Sequence, residues 1–139
     1  MQIKNFKSIA KEVIKIEINS LKKLQLSINK SFEQIVNAIL NCKNGKIIIS
    51  GVGKSGIVAR KIAATFSSIG LMAIYLNPLD ALHGDLGVVS QEDICLLLSN
   101  SGETLELLEI LPHLKKRGNS CIALVALFIF ILPEGGEYI

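Results

Sequence analysis

Residues 46–61, KIIISGVGKSGIVARK, decide the fold. Ile47, Ile48 and Ile49 form a β-branched apolar run without polar alternation, the pattern of a parallel strand covered on both faces. Gly51, Gly53 and Gly56 follow, allowing a sharp turn and a close approach of backbone to ligand. The helix that opens next points its first amides at the same place, which makes the turn an anion cradle. Lys54 adds a cation to it and Ser55 a hydroxyl.

Outward from this stretch, apolar runs alternate with helical periods. Upstream, residues 4–26 read as an amphipathic helix with lysines on its wet face and a broad apolar side, suited to crossing a sheet or packing on another subunit. Ser31 with Glu33 and Gln34 reads as an N-cap and capping box opening a helix to about Leu40, and Asn44-Gly45 ends it. Downstream, the expected elements are a helix over 55–69, a strand over 72–76, a short helix or loop over 80–87 and a strand over 93–98. A helix to about Lys116 and a strand over 121–125 complete them. In the last helix Leu105, Leu108, Leu111 and Leu114 are the expected inner stripe, with Pro112 interrupting its outer end. This alternation predicts an α/β fold: a three-layer αβα sandwich on a parallel sheet with right-handed crossovers, preceded by N-terminal helices.

The 139 residues fit one domain, with helices over 1–45, an αβα core over 46–125 and a tail over 126–139. Half the residues are hydrophobic and 19% charged, which excludes a disordered chain. The net charge of +3 comes without a dense basic block and with no Trp, so a nucleic-acid surface is not expected. The longest apolar run, residues 121–132, is too short to span a bilayer as a helix, and no membrane partner is expected. The N-terminus lacks the apolar core of a signal peptide. Cys42, Cys95 and Cys121 form no zinc or disulfide pattern and fit a reducing cytoplasm.

Two loops fall at carboxyl ends of expected strands, where open α/β sheets bind ligands. The first is 51–56. The second, 99–104, reads SNSGET and crowds Ser99, Asn100, Ser101 and Thr104 around Gly102 at a helix start. Hydroxyls and free amides there suit a phosphate monoester, although a serine that merely caps a helix is common. GVGKSG also fits the G-x-G-x-x-G dinucleotide pattern, but Asn77-Pro78 stands where the ribose-binding acid belongs. It is not a Walker loop either, because Ile48 occupies the required first glycine. Glu106 opens the helix after SNSGET and can act as a general base, yet Glu103 and Glu109 lie close enough that spacing alone does not choose among the three. His83 sits in LHGDLG and reads as structural or as a ligand; His113 reads as solvated.

In that order, GVGKSG, HGDLG and SNSGET-LE resemble the sugar isomerase (SIS) domain of bacterial arabinose-5-phosphate isomerases, from the N-terminal helices to about Val125. The resemblance implies a Rossmann-like αβα domain that assembles as a homo-oligomer, a dimer or tetramer. It implies reversible conversion of arabinose 5-phosphate to ribulose 5-phosphate through an enediol, without an organic cofactor, on the route to 3-deoxy-D-manno-octulosonate and lipopolysaccharide. Lys54 matches the family's active-site lysine and Glu106 its glutamate. Gly53, Ser55, Ser99, Asn100, Ser101 and Thr104 match the loops that hold the sugar phosphate. His83 matches a histidine that can bind an inhibitory metal ion such as zinc. After Val125 the sequence ALFIFILPEGGEYI departs from the family. It reads as a shortened chain or an altered tail that lacks a second glutamate, a histidine and a sheet strand, with an apolar tail left exposed or paired elsewhere and catalysis impaired. The competing expectation is a non-catalytic, sugar-phosphate-sensing regulatory module, since SIS domains also occur in regulators.

Overall fold

The computed structural model describes residues 5–126 and the backbone of 128–131. The chain divides into two compact units, residues 1–30 and 31–139.

The first unit holds helix α1, Phe6–Ser27, with Asn5 as its N-cap accepting the Lys7 amide at 3.0 Å. None of its residues is buried.

The second unit takes in α2, Lys30–Asn41, from Ser31 onward. This helix starts one residue before the expected cap, so Ser31 lies inside the first turn. A parallel core follows: β1 (Ile47–Gly51), α3 (Gly53–Ser68), β2 (Ala73–Leu76), α4 (Pro78–Leu82), a 3-10 turn at Asp85–Val88, β3 (Ile94–Ser99), α5 (Leu105–Lys116) and β4 (Ser120–Val125). The strand order is β2-β1-β3-β4-β5, the first four parallel. Strand β5, Phe128–Ile131, pairs antiparallel with β4, so part of the divergent tail adds a strand to the sheet edge where a loss was expected. Residues 132–139 of that tail lie outside the described residues.

Strand β1 is the axis of this arrangement because both its faces are covered. Ile47 and Ile49 point into a cluster with Ile35 of α2, Ala59 and Ala63 of α3, Leu96, Leu98 and Ile122. Ile48 points the other way, among Cys95, Leu97, Cys121 and Leu107, Ile110, Leu111 and Leu114 of α5. Each of these isoleucines is at most 2% exposed, and burial contributes about 1.5–3 kcal/mol per side chain. Cys95 and Cys121 stand side by side in register on β3 and β4, fully buried. The Cys121 thiol and burial together push the Cys95 thiol well above its ordinary value.

The inner stripe of α5 is Leu107, Ile110, Leu111 and Leu114, while Leu105 is exposed. Strict steps of three precess around a helix of 3.6 residues per turn, so 105-108-111-114 cannot stay on one face; 107-110-111-114 can. The helix ends at Lys116, as expected, with Pro112 inside its outer half.

At the amino edge of the sheet, buried Asp93 accepts the Lys46 amide (2.9 Å), the Lys46 ammonium (2.6 Å) and the Ser90 amide (2.7 Å). Asn119 Nδ2 donates to the carbonyls of Ser90 and Asp93. This polar cluster fixes the starts of β1, β3 and β4 and leaves the carboxyl edge to the loops.

Candidate active site

From β1 the chain passes through α3 to β2 on one side, whereas β3 lies on the other side of β1. Helix α3 covers one face of the sheet and α5 the opposite face. The carboxyl ends of β1 and β3 therefore form the topological switch point, where the outgoing connections diverge and leave a crevice. Register sets the two ends side by side, Ser50 opposite Leu97 and Gly51 opposite Leu98. The loops 51–56 and 99–104 are thus neighbours.

In the first loop the helix begins two residues before its expected start. Gly53 and Lys54 lie in its first turn, with Val52 as N-cap. Gly53 has φ +57°, the left-handed region that favours glycine. A Cβ on Gly56 would lie 2.7 Å from the Gly51 carbonyl oxygen, so that glycine allows α3 to dock closely on the end of β1. Val52 has no side-chain oxygen, so the first-turn amides of α3 receive no side-chain cap. Lys54 is exposed and Ser55 half-buried.

In the second loop Ser99 is the buried last residue of β3. Its Oγ accepts the Gly102 amide at 2.9 Å and shares a 2.8 Å hydrogen bond with the Thr104 hydroxyl. Ser101 Oγ accepts the Glu103 amide at 3.1 Å, and the Asn100 carbonyl accepts the Ala126 amide at 3.4 Å. Neither serine is the helix cap. That place belongs to Thr104, whose hydroxyl is engaged with Ser99 and makes no cap bond. Both helices leaving the crevice, α3 and α5, thus lack a side-chain cap. Such N-termini present amide donors and a positive dipole end to an anion.

Glu106 lies in the first turn of α5 and is half-buried, whereas Glu103 and Glu109 are exposed. The structure therefore separates three carboxylates that spacing left level. His83 is the exposed C-cap residue of α4, which follows the carboxyl end of β2. Among the described residues no group of three or more His, Cys, Asp or Glu is placed to hold a metal ion. His83 thus stands without partner ligands of this kind among the described residues, where zinc takes about four.

Two contributors have no motif in the sequence. Ser50 Oγ, fully buried, donates to the Leu76 carbonyl at 2.7 Å, and Tyr75 OH donates to the Gly51 carbonyl at 2.9 Å. They cross-link the carboxyl ends of β1 and β2. Only register reveals them: Ser50 faces Leu76 and Ile49 faces Tyr75.

Fold and site together define an αβα domain with ligand loops at the switch point of a parallel sheet. The chain belongs to the SIS domain family, whose pattern matches residues 39–127. It is 43% identical, over 81% of its length, to arabinose 5-phosphate isomerase KdsD of Yersinia pestis, of which it spans 34%. A structure of c3406 from E. coli CFT073, in complex with arabinose 5-phosphate, superposes with a TM-score of 0.73 at 40% identity, covering 87% of this chain and 65% of that one. A Listeria monocytogenes structure superposes with a TM-score of 0.83 at 30% identity, covering 95% of this chain and 75% of the other. The chain spans less than half the length of the curated relatives it matches. Among the described residues no helix is long and apolar enough to cross a membrane.

Proposed function

We propose that this chain is the sugar-phosphate-handling domain of an aldose–ketose isomerase that interconverts D-arabinose 5-phosphate and D-ribulose 5-phosphate, a step toward 3-deoxy-D-manno-octulosonate and lipopolysaccharide. The observation that carries the reading is the meeting of 51–56 and 99–104 at one switch point, each followed by a helix without a side-chain cap. The resemblance to proteins named for this activity, and to one solved with the sugar phosphate itself, supports the choice of sugar.

In this reading the phosphate rests on the amides of the helix starts and the hydroxyls of Ser55, Ser99, Ser101 and Thr104, with Gly53 and Asn100 shaping the cradle. Glu106 takes the proton from C2 of the open-chain aldose to give the enediolate, the O2 proton passes to O1, and Glu106 returns its proton to C1 as the C2 ketone forms. The ammonium of Lys54 stabilises the enediolate oxygen that carries charge between those steps. The chemistry is proton transfer between carbon and oxygen atoms of the sugar and needs no organic cofactor. The active form is a cytoplasmic homo-oligomer, a reading supported by the three free cysteines and the unburied apolar side of α1.

The test is to incubate the purified chain with arabinose 5-phosphate and follow ribulose 5-phosphate by NMR, reading ligand shifts in the same tube. Turnover supports the isomerase. Saturable binding at residues 51–56 and 99–104 without turnover assigns a sensor or a domain needing groups from outside this chain. A folded sample with neither signal overturns the proposal.

A further inference from the structure

The peptide that leads from β1 into the glycine turn joins Gly51 to Val52, and Gly53 follows at φ +57°. Two glycines in three residues give this segment little stiffness of its own. Beyond the ladder to β3 and the Gly56 amide on the Val52 carbonyl, restraint comes from the other neighbouring strand. Tyr75, on edge strand β2, donates its hydroxyl to the Gly51 carbonyl at 2.9 Å. The same hydroxyl lies 3.2 Å from the place a Cβ on Gly56 would occupy, at the junction of strand end and helix start. The Tyr75 ring is held in turn by Arg60 of α3, whose guanidinium carbon is 3.9 Å from the ring centroid. Ser50, one residue before Gly51, donates to the Leu76 carbonyl, so adjacent strand ends are tied twice in opposite directions.

We propose that Tyr75 is a positioning residue: through the Gly51 carbonyl it fixes the turn that carries Lys54 and Ser55, so that the loop meets its anion already shaped. A loop that is only partly in its binding geometry loses affinity in proportion to that fraction. The ligand half of this proposal rests on the sugar-phosphate reading above; the loop half does not.

The test uses the isotopically labelled full chain and Tyr75→Phe, which keeps the ring under Arg60 and removes only the hydroxyl. Amide shifts are compared without ligand, and affinity for arabinose 5-phosphate is then titrated. The expected result is a set of shift changes centred on 51–55, about fivefold weaker binding, the scale of one lost hydrogen bond, and an unfolding midpoint close to that of the parent. Unchanged loop amides with unchanged affinity overturn the proposal, as does a lowered midpoint with both unchanged. Tyr75→Leu, which also frees Arg60, should move the same amides further; if it does not fold, Tyr75→Phe alone decides. If the parent chain does not bind arabinose 5-phosphate, the sugar reading fails, and the loop amides decide the role of Tyr75 by themselves.

Discussion

Asp93 shows how a single carboxylate ties the stability of this sheet to pH. Burial alone would raise its pKa, but hydrogen bonds from the Lys46 ammonium and from the amides of Lys46 and Ser90 outweigh that and hold it below the ordinary carboxylate value. A depressed carboxylate contributes stability that is present above its unfolded pKa and is lost as pH falls through the folded one. Stability should therefore decline as pH drops below about 4, where carboxylates of unfolded chains begin to protonate. Asp93→Asn should flatten this acid limb and cost about 3 kcal/mol near neutrality, the scale of breaking a buried ion pair; urea unfolding at a series of pH values reads both. At the opposite edge, Glu106→Gln should keep arabinose 5-phosphate binding and lower any turnover by about 10²–10⁴-fold, the usual share of general base catalysis. Equal turnover in Glu106→Gln would move the base to another carboxylate.

The elements around the glycine turn separate two uses of the same residue. Gly53 needs its left-handed conformation but has open space where a Cβ would go. Gly56 has no such φ, yet a Cβ there would meet the Gly51 carbonyl at 2.7 Å. Gly53→Ala should thus cost about 1 kcal/mol, the left-handed penalty. Gly56→Ala should cost about 2–3 kcal/mol by forcing α3 off β1; chemical denaturation should rank them in that order. Both glycines belong to one motif that was legible in residues 51–56 as strand, turn and helix. The α5 face was less legible, because four leucines at steps of three drew attention from Leu107 and Ile110. Periodicity marks a face only when its steps average 3.6.

At the scale of the whole molecule, the sequence carried the alternation of strands and helices and the two loops, since burial on both faces and turn chemistry leave local traces. It did not carry the pairing of β5, nor the ties of Ser50 and Tyr75. Those depend on which strands become neighbours, and no local pattern encodes that. The same limit holds for α1. Its 22 residues include Val13, Ile14, Ile16, Leu21 and Leu24, all at least half exposed. An amphipathic helix of this length draws most of its stability from packing its apolar face, so a second copy of the chain is the proposed cover. Sedimentation equilibrium should then show a dimer or tetramer. Leu21→Lys with Leu24→Lys should shift it to monomer while residues 31–126 retain their amide pattern. A monomeric parent chain at high concentration would remove α1 from any assembly role.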